Sequence, residues 1–168
     1  MEAVLINSAT IAVFLFGIIG LFDGFYFHLI KFKLYKHAET RFEHITHAIR
    51  AFLFVGILYL LFINDFTGYA LWGAIILVFI DIITLLVDLF VEGNSRNKLG
   101  GLPHYEYVVH VIANTLHFVS IALMLASKPA SAFKLEATDV LQRMAFTPSS
   151  IIGSALFGGA AILAILHV

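Results

Sequence analysis

Long apolar runs follow one another along the whole chain, each closed by a few charged or turn-forming residues. Positions 4–30 are apolar almost without interruption, and the basic stretch 31–41 follows. A second run covers 42–65, and a third covers 69–91 and ends in the Gly- and Asn-rich loop 93–103. A fourth covers 104–126, and a fifth starts at Pro148. An α-helix of about 20 apolar residues crosses the ~30 Å hydrocarbon core of a bilayer. The pattern therefore predicts an all-α membrane protein with five transmembrane helices in a single domain, 1–168. The segment 131–146 alternates Phe133, Leu135, Val140, Leu141 and Met144 with polar residues, and predicts a short helix lying at the interface. The stretch 148–168 is the fifth helix. Met1-Glu2 brings no basic residue before the first run, which is expected to be a membrane span and not a cleaved signal.

Composition sharpens this. Of 168 residues, 61% are hydrophobic and 12% charged, with a mean hydropathy of +0.97. That leaves too little polar sequence for the shell of a soluble domain. The net charge of −1 and the absence of a basic stripe exclude nucleic acid as a partner. The chain has no cysteine, which excludes disulfides, cysteine-ligated clusters, c-type haem and thiolate nucleophiles. Any metal must be held by nitrogen and oxygen. Lys31, Lys33, Lys36 and Arg41 lie between the first two spans, and Arg96 and Lys98 between the third and fourth. This places the 31–41 and 93–103 loops in the cytoplasm and the N-terminus outside, in a membrane expected to be a bacterial inner membrane.

The first pair of spans resembles the second. Positions 13–25 lie over 78–90, so that Asp23 meets Asp88. Positions 42–49 lie over 105–112, so that Glu43 meets Glu106 and His47 meets His110. The repeat, approximately 13–58 and 78–121, predicts a four-helix bundle of two pseudo-symmetric hairpins, related by an axis along the membrane normal, with the fifth helix added.

Ionisable side chains inside spans are costly and usually have a partner or a task. Asp23, Glu43, His47, Asp88, Glu92, Glu106 and His110 all fall near the cytoplasmic ends of their spans. Glu43 and His47 are four apart, as are Glu106 and His110, and Asp88 and Glu92, so each pair shares a helix face. His28 is five residues from Asp23 and is expected to point elsewhere, meeting the headgroups as His37, His44 and His104 would. Arg50 is the only fixed cation nearby within a span, so the clustered carboxylates call for metal ions as compensation. Asp81 and His117 lie about two turns deeper on the same faces, where the first hairpin carries Phe16 and Phe54. They are the candidate catalytic pair, touching each other or moving protons.

A carboxylate on one helix and Glu with His on the next, twice over, resembles the ligand order of ferritin-like di-iron carboxylate four-helix bundles. The resemblance rests on Asp23, Glu43, His47, Asp88, Glu106 and His110, with Glu-x-x-x-His here in place of Glu-x-x-His. It implies two transition-metal ions, with iron first and zinc or manganese as alternatives. The activity it suggests is a metal-dependent oxidoreductase acting on a lipid-like substrate or a quinol. Haem b held by His47 and His110 in an electron-transfer protein is one alternative. A proton or metal-ion transporter is another.

Overall fold

The computed structural model describes residues 1–137 and 147–167. Five helices are long and apolar enough to cross a membrane, and the described residues contain no strand. We label them α1 (Glu2–Leu21), α2 (Arg41–Ile57), α3 (Gly68–Ser95), α4 (His104–Ala126) and α5 (Pro148–Leu166). Two of them continue in wide, π-type turns, α1 through Phe22–Lys31 and α2 through Leu58–Ile63. The wide turns show directly in the hydrogen bonds. Phe32 N–H donates to Phe27 O over 2.9 Å and Asn64 N–H to Tyr59 O over 3.2 Å, each five residues back.

The helix limits follow local chemistry. Pro103 sets up the first turn of α4 from an extended φ/ψ, where a missing N–H costs nothing. At α5, Thr147 and Ser150 form a reciprocal capping box, with Pro148 at the first helical position. Gly68 opens α3 at φ +56°, with Ala137 O only 2.2 Å from where a Cβ would stand. Of the segment 131–146, residues 131–137 are described. A single 3-10 turn, Ala130–Phe133, leads into a stretch lying against the start of α3, where Trp72 Nε1 donates to Phe133 O over 2.9 Å. The remaining part of the expected interfacial helix, 138–146, falls outside the described residues.

Helix α1 packs along α4, and α2 along α3, while α5 lies against both α1 and α2. Leu156 and Leu163 of α5 sit over Gly17 and Gly24 of α1. A Cβ at Gly17 would come within 2.3 Å of Leu156 Cδ2. Small residues let helices approach this closely. Gly17→Leu is expected to cost ~1–3 kcal/mol by overpacking and to lower the thermal midpoint of the detergent-solubilised protein. Gly93→Ala, with no atom within 4 Å of the new Cβ, is the control. Equal midpoints for the two variants would mean that α5 does not dock on Gly17.

The interior has two storeys. Ala9, Val13, Ile57, Leu61, Leu71 and Met124 belong to an apolar core at the end where α2 leads into α3. At that end Lys128 Nζ donates to Asp65 Oδ1 (2.5 Å) and to Phe66 O, so this lysine is spent on a buried pair. The other storey is polar and holds the residues described next. Outside both, Ile18, Ile76, Phe79, Leu86, Phe90 and Ile165 face outward, Phe90 with 82% of its surface exposed.

Candidate metal centre

The wide turns after α1 decide which side chains enter the polar storey. In an α-helix, residues five apart point about 140° away from each other. In turns closed by bonds to the fifth residue they return to the same side. His28 is therefore buried beside Asp23, with 1% of its surface exposed, contrary to the expectation that it faces the headgroups. Its Nε2 lies 4.0 Å from Asp23 Oδ1 and 3.9 Å from Glu106 Oε1.

The two Glu-x-x-x-His helices each present their histidine to a carboxylate on the helix beside them. His110 Nε2 lies 3.1 Å from Asp23 Oδ1, and His110 Nδ1 lies 3.0 Å from Glu92 Oε1. His47 Nε2 lies 3.5 Å from Asp88 Oδ2 and 4.0 Å from Glu43 Oε1. Thr46 Oγ donates to the other Asp88 oxygen over 2.5 Å. The His28 and His47 rings are 4.1 Å apart, centroid to centroid. Asp23, Glu43, His47, Asp88, Glu92, Glu106 and His110 thus lie in one layer, with His28 among them.

A second cation stands with them. Arg96 follows α3 directly and has no exposed surface. Its Nε donates to Glu43 Oε1 (2.7 Å) and its Nη2 to Glu106 Oε1 (2.8 Å), and its guanidinium lies over the Phe32 ring. Arg50 is therefore not the only fixed charge opposing the carboxylates. Helix α3 runs a turn beyond the end of its apolar run, and this carries a residue that reads as loop into the interior. Ser95 Oγ donates to Glu43 Oε2, so both oxygens of Glu43 are satisfied by protein. Glu106 keeps Oε2 without a partner. Glu39 points outward to Lys98, whose hydrogen bond holds the Glu39 carboxyl below its ordinary pKa.

Deeper in the bundle, Asp81 and His117 do touch, with Oδ2 to Nε2 at 2.9 Å. Arg50 Nε donates to the other Asp81 oxygen over 3.0 Å, and Arg50 Nη2 to Asn114 Oδ1 over 2.7 Å. Phe16 and Phe54 flank the His117 ring at 4.6 and 5.5 Å. A cavity of about 260 Å³ connects the layers, running from Asp23, His28 and His110 to Phe16, Phe54 and His117.

Sequence reasoning missed His28, His44, His167 and Arg96. His167, just past α5, stacks on His44 with centroids 5.2 Å apart, and its Nδ1 lies 2.8 Å from Leu163 O. The useful signal was only that histidines at three helix ends share the depth of the cluster. Tyr26, Tyr105 and Tyr107 are exposed, and Tyr105 accepts from Lys31 on the outside.

Donor geometry and the accounting of polar atoms both fit a metal. Among the described residues, Asp23 Oδ1, His28 Nε2, His47 Nε2, Glu92 Oε1, Glu106 Oε2 and His110 Nε2 are buried and make no hydrogen bond, although His110 is in ion-pair contact with Asp23 and Glu92. Buried polar atoms are otherwise nearly always paired. Two sets, Asp23 with His28 and His110, and Glu92 with Glu106 and His110, each bring their ligand atoms within 4.8 Å of one another. Bonds of ~2.0–2.2 Å to one ion separate its ligand atoms by about 3–4.4 Å, which the Asp23–His110 and Asp23–His28 distances of 3.1 and 4.0 Å satisfy. Compared with known proteins, the chain matches no family model, no curated protein and no solved structure.

Proposed function

We propose that this chain is an integral membrane metalloprotein whose carboxylate and histidine layer holds two transition-metal ions, iron first, and that it is an oxidoreductase acting on a lipid-like substrate or a quinol. The observation that carries the reading is the set of buried ligand atoms without a hydrogen bond contributed to one layer by the continuation of α1 and by α2, α3 and α4. Bound metal would supply the redox chemistry. Asp23, His28, His47, Asp88, Glu92, Glu106 and His110 would hold it. Glu43 anchors Arg96 on the layer's edge. Asp81 fixes the orientation of His117 at the far end of the cavity, where a proton can be held. Haem b between His47 and His110 would need the space that His28 and Asp23 fill.

The internal duplication belongs to the same proposal. Exchanging the hairpins carries the α1–α4 contact onto α3–α2. It carries the Asp23–His110 pair onto Asp88–His47, and the Phe16–Phe54 contact onto Asp81–His117. Arg96 bridges the two equivalent glutamates, as a group near the pseudo-axis would.

Metal analysis of the purified protein is expected to give roughly two transition-metal ions per chain, with no intense haem absorption band. Metal-free, colourless protein would end the metal reading, and an intense haem spectrum lost in His47→Ala would replace it. The orientation is tested by cysteine labelling in intact cells. Asn97→Cys should react only from the cytoplasmic side and Ser131→Cys only from outside, both positions being exposed.

A further inference from the structure

The inner end of the cavity differs from its metal end in what it can recognise. His117 is 2% exposed and lines the cavity. The Asp81 carboxylate, whose second oxygen accepts from Arg50 Nε, can only accept. A hydrogen bond from His117 to Asp81 Oδ2 then uses Nε2–H, and the neutral ring keeps a bare lone pair on Nδ1. Nδ1 has no partner among the described residues. An unpaired buried acceptor forfeits on the order of 1–3 kcal/mol, so a donor is missing from this place.

The surroundings specify the shape of the molecule that carries it. Phe16 and Phe54, which also line the cavity, pack on the His117 ring at centroid distances of 4.6 and 5.5 Å. Aromatic groups in this arrangement favour a flat ring packed offset or edge-on. Leu156 and Ala160 of α5 add apolar lining to the cavity, and Gly159 lines it with nothing within 4 Å of a built Cβ. The whole cavity, metal end included, is about 260 Å³, which accommodates one substituted ring and leaves a long tail outside.

We propose that this inner end binds the ring of a hydroquinone, one of whose hydroxyls donates a hydrogen bond to His117 Nδ1. The inference rests on the oxidoreductase reading and narrows its substrate class. A simple long-chain alcohol would use the acceptor but not the aromatic walls, and a hydrocarbon would leave Nδ1 unpaired.

The test is binding, under nitrogen, of tetramethylhydroquinone and its dimethyl ether to the full-length protein as purified. The hydroquinone is expected to bind about tenfold tighter than the ether, the value of one buried hydrogen bond. His117→Phe should bring the hydroquinone down to the level of the ether with the metal content unchanged. Gly159→Phe, which adds bulk to the cavity wall where nothing stands in its way, should weaken both ligands. Equal binding of the two compounds by the wild-type protein overturns the proposal, whether or not His117→Phe folds. So does a folded His117→Phe that holds the hydroquinone as tightly as wild type. Metal-free protein that still prefers the hydroquinone would remove the metal centre and leave this site standing. Metal-loaded protein without the preference would do the reverse.

Discussion

His110→Ala is expected to leave less than about a tenth of the wild-type metal, the largest loss of any single substitution in the layer, since outer partners alone are worth 10–100-fold. The reason is its position. One imidazole nitrogen faces Asp23 on the segment that continues α1, and the other faces Glu92 on α3. His110 is the one residue common to both candidate ligand sets. Asp23→Asn and Glu92→Gln each disturb one set, and each should leave part of the metal in place. Glu106→Gln, which alters a carboxylate with an open oxygen, should cost more metal than Glu43→Gln, whose oxygens are already taken by Arg96 and Ser95. Glu39→Ala is the control, because that carboxylate points out to Lys98 and should leave the metal content unchanged. Metal content measured by mass spectrometry on purified protein decides it. Full occupancy in His110→Ala would remove the residue from the centre and dissolve both ligand sets.

Arg96→Met should be the most destabilising change in the layer. Removing one partner from a buried ion pair costs ~3–5 kcal/mol, because the remaining charge is left uncompensated. Here a single guanidinium serves both Glu43 and Glu106, none of the three having exposed surface. The thermal midpoint should fall far below that of Lys98→Met, which breaks only the exposed pair with Glu39. Adding Glu43→Gln and Glu106→Gln should recover much of the loss by removing the stranded charges. An Arg96→Met midpoint equal to wild type in metal-free protein would show that the carboxylates do not depend on this cation.

The spans were legible because an apolar run states its own length. The reading 104–126 coincides with His104–Ala126, and 69–91 falls inside Gly68–Ser95. The layer was legible because Glu43 with His47, and Glu106 with His110, lie on ordinary α-helix, where a spacing of four fixes a shared face. What escaped were features that depend on departures from that helix or on tertiary placement. His28 was misjudged because α-helical geometry was applied to a wide-turn segment. Arg96 looked like a loop cation because nothing local announces that α3 continues past its apolar run. The docking of α5 on α1 and α2 was only half visible, since Gly17 and Gly24 signal a close neighbour without naming it. His167 reaches His44 through that docking alone.

The wide turns between Phe22 and Lys31 also bear on how this protein would change over evolutionary time. A ten-residue segment that stacks every fifth side chain tolerates exchange of its outward-facing residues but not a change in its length. Losing one residue between Asp23 and His28 would turn His28 away from Asp23 and shift the register of everything after it. Relatives that keep the centre should therefore keep an Asp-x-x-x-x-His interval in the first span, free of gaps, beside two Glu-x-x-x-His intervals in the second and fourth. Insertions should collect instead in the turns between Lys98 and Pro103, past Arg96. That spacing, more than overall similarity, is the mark by which distant members of the lineage would be recognised.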